Sequence, residues 1–541
     1  MSLLITEIIT QGSDKTTPPL IRVPPGGRVA PGSHVLGHRE TFTRRGRVGR
    51  TRTVTSHEPS SPAVFWPRCS AVRGCSGRAA GRSGGCPAHL RPREFEEFAG
   101  SLRPGGDLDL RGVTVPAWLL DAVLDAVTGP DGRPHLGRAR FDGAVLLSDA
   151  VLRGVCVEGD SSFNGACFLG GISFYDARFF GNASFRGARF GRNVSFHEAR
   201  FHRFASFEEA VFTGDALFGE VRWHADASFR NAVLMGAACF DRARFGRDAA
   251  MQAACFRGPV SFKRVQVARH ARFERTRFRQ GVALGPLVAG GRIGLSDATV
   301  HGRLRVHAAA PRVTARGVVV RGEAAFRLRN AEVDLEDAVF EGPASVRSLA
   351  RPIQGLAPPA GPAAVRVVSL RRVDAAGLQL TDVDLSGCGF LGLRRPDALA
   401  ITGDCPFATV PGRRTLRPWV RGGRAVLAED LVRGTGGPAH DDRLRALYLE
   451  LARATADSGR GRLARDFRYG ALELRRHGER DPLRRLGLTL LWVTCGYGLR
   501  AGRVVAWLAV IVALVCLGAS TLHHGDRADT AHIAHPSGGG T

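Results

Sequence analysis

Lysine is almost missing from this chain. Lys15 and Lys263 are the only two in 541 residues, so arginine supplies nearly all of the 76 Lys+Arg. Against 50 Asp+Glu this leaves a formal net charge of +26, a sign that normally points to a polyanionic partner. With 68 glycines and abundant alanine, the arginine reads instead as the coding bias of a GC-rich genome, which weakens the case for nucleic acid. Catalytic motifs are missing too. There is no Walker loop, no G-x-S-x-G, no H-E-x-x-H and no pair of carboxylates set apart by local pattern, so the chain is expected not to be an enzyme. The 11 cysteines are scattered with no secretory signal ahead of them, and a disulfide framework is not expected.

What the chain has in quantity is a ladder of large apolar residues. They stand at Phe163, Phe168, Phe174, Phe179, Phe185, Phe190, Phe196, Phe201, Phe207, Phe212, Phe218, Trp223, Phe229, Leu234, Phe240, Phe245, Met251, Phe256 and Phe262. The steps alternate five and six, so the unit is eleven residues, and a small residue, usually Ala or Val, sits two before each large one. Neither a helix of period 3.6 nor a strand of period 2 spaces its apolar residues this way. A fixed short period marks a repeat whose units share one core. Five residues suit one side of a square coil: a short extended piece and a turn. The large residue fills the centre, and Gly or Asn supplies corner conformations. Four sides give about 22 residues per coil, with coils stacked roughly 4.8 Å apart.

These residues resemble the pentapeptide-repeat family, whose repeats build a right-handed quadrilateral β-helix. "LQLTDVDLSGCGF", with Leu380, Leu385 and Phe390 five apart, lies nearest the family pattern. The resemblance covers residues 138–392, loosens between Leu284 and Val346, and is interrupted by a loop at 347–364. The order of segments is similar to membrane-associated pentapeptide-repeat proteins of actinobacterial-type genomes. That resemblance implies an architecture without an established reaction. Some relatives mimic DNA and bind gyrase, which needs a strongly acidic surface. Between residues 141 and 278 there are 19 Lys+Arg and 14 Asp+Glu, so this chain lacks that surface. Arg178, Arg189, Arg200, Arg244 and Arg272 should point outward beside the ladder.

Residues 1–62 are basic, polar and without apolar periodicity, and read as disordered. In the segment 63–90, Cys69, Cys75, Cys86 and His89 are candidate ligands for one structural zinc, with free loop thiols as the alternative. Residues 91–137 read as a helical cap, with Leu119, Val123 and Val127 on one face. After a linker at 393–436, residues 437–480 predict a helical hairpin. Leu444, Leu447, Tyr448 and Leu451 stripe one helix; Leu463, Phe467, Ala471 and Leu474 stripe the other.

Val504–Leu522 carries no charge and would rise roughly 28 Å as a helix, close to the hydrocarbon thickness of a bilayer. A transmembrane helix is expected over 503–522, an interfacial segment over 483–500, and a short tail over 523–541. Arg475, Arg476, Arg480, Arg484, Arg485, Arg500 and Arg503 precede the run, which places the solenoid in the cytoplasm and the tail outside. The reading is a single-pass, membrane-tethered scaffold for an unidentified cytoplasmic protein. A nucleic-acid- or topoisomerase-binding protein is the alternative.

Overall fold

Short parallel strands stacked in columns run from Leu108 to Thr402. The computed structural model describes residues 66–357, 359, 361–410, 423–431, 438–499 and 504–517. The expected disordered segment 1–62 and the tail 523–541 lie outside the described residues.

Each side of a coil is a two-residue strand such as Ala183–Ser184 or Arg189–Phe190. Side chains alternate across a strand, so Ala183 and Phe185 are buried and Ser184 between them is half-buried. All solenoid pairings are parallel. Ala183 lies on Ala205, Ala205 on Ala227 and Ala227 on Ala249, a step of 22 residues. One face counts 12 strands, from Leu108–Asp109 to Val365–Ser369, so the solenoid makes about 12 coils.

The alternation of five and six arises from two kinds of corner. Five-residue sides end on a left-handed residue, at every eleventh position: Gly187 (φ +64°), Glu198 (+60°), Glu209 (+59°), Glu220 (+57°), Asn231 (+56°). Six-residue sides spend the extra residue on the turn, and a corner side chain there can bond the next coil. Asn193 Oδ1 accepts the N–H of Asp215 at 2.9 Å, Asp215 that of Ala237 at 2.8 Å, and Asp226 that of Asp248 at 3.0 Å.

Past Val282 one corner disappears. Val282–Ala289 is a single strand pairing with both Val260–Ser261 and Val265–Val267, and Leu304–Ala309 and Ala324–Arg329 continue it. Left-handed residues now recur 20 apart at Asp297, Gly317 and Asp337, with Asn330 (φ +54°) an additional one at another corner. The step shortens to 20 residues, as in Val313 on Val333 and Val319 on Val339. The ladder loosens between Leu284 and Val346 because these coils have three strands where the earlier ones have four. Among the described residues no strand forms between Ser348 and Val365, where the loop was expected. Its Ile353 and Leu356 pack on Val288 and Ala309.

Both ends of the solenoid reach beyond 138–392. Leu108–Asp109 pairs with Ala139–Arg140 and Thr114–Val115 with Val145–Leu146. The segment 91–137 is therefore half first coil, and only helices α1 (Pro92–Ser101) and α2 (Ala117–Ala126) are cap. At the other end Leu378–Thr381 pairs with Ala400–Thr402.

The region expected as linker also holds structure: Ala408–Val410 pairs antiparallel with Arg424–Val426, followed by one helical turn, Ala428–Leu431. The expected hairpin is α3 (Pro438–Asp457) and α4 (Gly461–Gly478). It closes the solenoid end. Phe407 stacks on Phe390 at 5.9 Å and meets Phe467 edge-on at 5.1 Å. The buried Glu429 carboxylate accepts the N–H groups of Phe390 and Leu391, which no further coil among the described residues pairs. The Tyr448 hydroxyl accepts from Leu427 N–H and donates to Asp430, both at 2.9 Å.

Candidate binding surfaces and metal centre

Inside the coils every ring of the ladder is committed to packing. Phe163, Phe185, Phe207 and Phe229 form a column with centroids 4.7–4.9 Å apart and planes within 8°. Phe174, Phe196, Phe218, Phe240 and Phe262 form a second at 4.8–5.2 Å. The two columns meet edge to face, as at Phe196–Phe207 (5.3 Å, 82°), the geometry that ring quadrupoles favour. Phe168, Phe190 and Phe212 form a third, and Phe179, Phe201, Trp223 and Phe245 a fourth. Phe256 stacks on Phe278 at 5.2 Å. All are buried, so none is offered to a ligand.

The outside is where chemistry is available. Arg178, Arg189, Arg200, Arg244 and Arg272 point outward as expected; none is buried. Many arginines pair with a carboxylate one coil away, including Arg242–Glu220 at 2.8 Å and Arg312–Glu332 at 2.8 Å, and Arg133 reaches Asp176 two coils on at 2.6 Å. One row is different. Arg178, Arg200, Arg222 and Arg244 are in register on successive coils, and none of the four has an ion pair among the described residues. Beside it runs an exposed row of rings, Phe180, His202 and His224, stacked at 4.6 and 4.7 Å. Burial, then His224, Arg200 and Arg178, hold His202 below the usual imidazole range.

Cys69, Cys75, Cys86 and His89 come together. All four ligand atoms lie within 4.8 Å of one another. Cys75 Sγ–Cys86 Sγ is 3.8 Å, Cys69 Sγ–His89 Nδ1 3.6 Å and Cys86 Sγ–His89 Nδ1 3.4 Å. Burial pushes the Cys69 thiol up, but the N–H of Cys86, the His89 ring and the N–H groups of Ala71 and Val72 outweigh it and draw it down to about 6. Burial, with Cys75 and Cys69 beside it, pushes Cys86 up to about 12.

At the C-terminal end, α5 (Pro482–Cys495) and α6 (504–517) present apolar surface to solvent. Leu483 is 78% exposed and Val505 63%, and Leu486, Leu490, Leu508, Ile511, Val512, Leu514, Val515 and Leu517 are exposed with them. Trp507 Nε1 donates to Val493 O at 3.1 Å, which joins the two helices. Trp492, expected in the headgroup zone, is held elsewhere: its Nε1 donates to Tyr469 Oη on α4 at 2.8 Å, and Arg476 covers its ring. Among the described residues no helix is long and apolar enough to cross a membrane. Helix α6 rises about 21 Å against a hydrocarbon core of about 30 Å. The remainder of the apolar run, 518–522, lies outside the described residues.

Four overlapping stretches, 136–189, 163–211, 185–233 and 207–254, match the family described as pentapeptide repeats (9 copies). This part of the chain is a pentapeptide-repeat solenoid. No curated protein and no solved structure matches the chain.

Proposed function

We propose that this protein is a non-enzymatic, membrane-tethered scaffold whose solenoid binds a cytoplasmic partner protein. The observation that carries the reading is the apolar surface exposed along α5 and α6. A contiguous apolar patch of that extent marks an interaction site. Its continuation into the uncharged residues up to Leu522 makes lipid its natural solvent. The segment 503–522, which contains α6, is the single span, and α5 lies in the interface. The seven arginines from Arg475 to Arg503 attract anionic inner-leaflet lipid by about 1 kcal/mol each and keep the solenoid cytoplasmic. The solenoid then presents the unpaired row Arg178, Arg200, Arg222 and Arg244 to an acidic segment of its partner. A reporter fused after Thr541 should be active only outside the cell, and one fused before Met1 only inside. Activity of both on the same side would refute the single span.

A second reading is nucleic-acid binding, directly or alongside a topoisomerase. Stacked Phe180, His202 and His224 beside the arginine row have the elements of a single-strand platform, rings for bases and cations for phosphates.

A further inference from the structure

We propose that Cys69, Cys75, Cys86 and His89 bind one zinc ion, and that the ion clamps the N-terminal cap onto the first coil of the solenoid. A tetrahedral zinc has bonds of about 2.3 Å to sulfur and about 2.0–2.1 Å to nitrogen, so its S–S edges are about 3.8 Å and its S–N edges about 3.5–3.6 Å. The measured edges are 3.8 Å for Cys75–Cys86, 3.6 Å for Cys69–His89 and 3.4 Å for Cys86–His89. These three of the six edges already have tetrahedral length, and all four ligand atoms lie within 4.8 Å of one another, so an ion needs at most small side-chain shifts to enter. A disulfide needs larger ones, since its sulfurs must be about 2.05 Å apart.

The backbone is arranged for the same purpose. Gly77 N–H points at Cys75 Sγ from 3.4 Å, the kind of second donor that orients a metal-bound sulfur. A Cβ at Gly77 would sit 2.9 Å from Cys86 Cβ and 3.0 Å from Cys86 Sγ, so only glycine lets the sulfurs converge. Four protein ligands leave no open position, which makes the site structural. The residues between the ligands are those that hold the coil. Ser76 Oγ donates to Gly112 O at 2.8 Å, Arg78 N–H to Arg111 O at 2.8 Å, and Arg78 pairs with Asp109 at 3.0 Å. Cys69 and Cys86 are buried in the same core as Leu108 and Leu110. Fixing the four ligands thus fixes the cover over the solenoid's first rung, a cap that repeat arrays require.

The test uses the full chain, purified in detergent without chelator. Metal analysis should find one zinc per chain. Replacement by cobalt should give the visible bands of a tetrahedral site and thiolate charge transfer. Cys86→Ser should lose the metal. His89→Cys should keep it and strengthen the charge-transfer band, while Cys167→Ser, in the solenoid wall, should change neither. Chelation should speed proteolysis within residues 66–107 and leave the Phe-lined coils resistant. Absence of zinc from the intact chain with no cobalt spectrum would overturn the proposal, as would a cobalt spectrum unaltered in both Cys86→Ser and His89→Cys.

Discussion

Phe207 is the position at which the packing account is most exposed. Its ring is fully buried and stacks on Phe185 at 4.9 Å and on Phe229 at 4.7 Å. It meets Phe196 and Phe218 edge-on at 5.3 and 5.4 Å. Phe207→Ala removes a ring from the middle of a column whose neighbours are fixed by strands above and below, so the cavity cannot collapse. Large-to-small changes of this kind cost about 3–5 kcal/mol. The value should fall in the upper half, because stacked and edge-to-face pairs add roughly 0.5–1.5 kcal/mol each beyond area. Arg200, one strand earlier, is only half-buried and points out, and Arg200→Ala should cost under about 0.5 kcal/mol. Equilibrium denaturation of the detergent-solubilised protein, followed by far-ultraviolet circular dichroism, measures both. In a solenoid each coil touches only its neighbours, so Phe207→Ala should also broaden the transition as the two halves uncouple. Equal losses from the two substitutions would show that the assignment of inside and outside is wrong.

Other changes probe the corners and the surface. Ala253 holds a left-handed φ of +57°, a conformation that costs a non-glycine residue roughly 1–2 kcal/mol; Ala253→Gly should therefore stabilise the protein by about 0.5–1 kcal/mol, read as a raised denaturation midpoint. Gly258 is a different kind of glycine, because a Cβ there would lie 2.2 Å from Gly236 O on the adjoining coil. Gly258→Ala should force two coils apart and lower the thermal midpoint, where the same change at Gly165, with open space around it, should only add backbone strain. Arg200→Glu combined with Arg222→Glu should abolish retention of the acidic partner proposed for this face and leave the denaturation midpoint unchanged; a partner retained at the wild-type level would remove the arginine row from the proposed binding face.

The ladder was legible in the sequence because one kind of residue can fill the coil centre, and Phe163 through Phe262 repeat it without a slip. The corners were not. Left-handed positions are occupied by Gly187 but equally by Glu209, Arg242 and Ala253, so side-chain identity does not report the backbone there. The first coil was hidden because Leu108 and Val115 carry no aromatic and α2 is inserted between them and the next strand. The arginine row was recoverable: Arg178, Arg200, Arg222 and Arg244 stand 22 apart, and writing the chain in rows of one coil aligns them. The Cys/His cluster was visible because soft ligands are few and close in sequence. Its attachment to the first coil through Ser76 and Arg78 needed the fold. So did the capping role of Glu429, which depends on where the last rung ends.

Whether the chain is held by lipid is decided most directly by centrifugation. Membranes from cells expressing the full-length protein should retain it through a high-salt and alkaline carbonate wash without detergent, whereas a chain ending at residue 480 should appear in the supernatant. Full-length protein in the first high-speed supernatant would contradict the membrane-tethered scaffold and leave the nucleic-acid reading in its place.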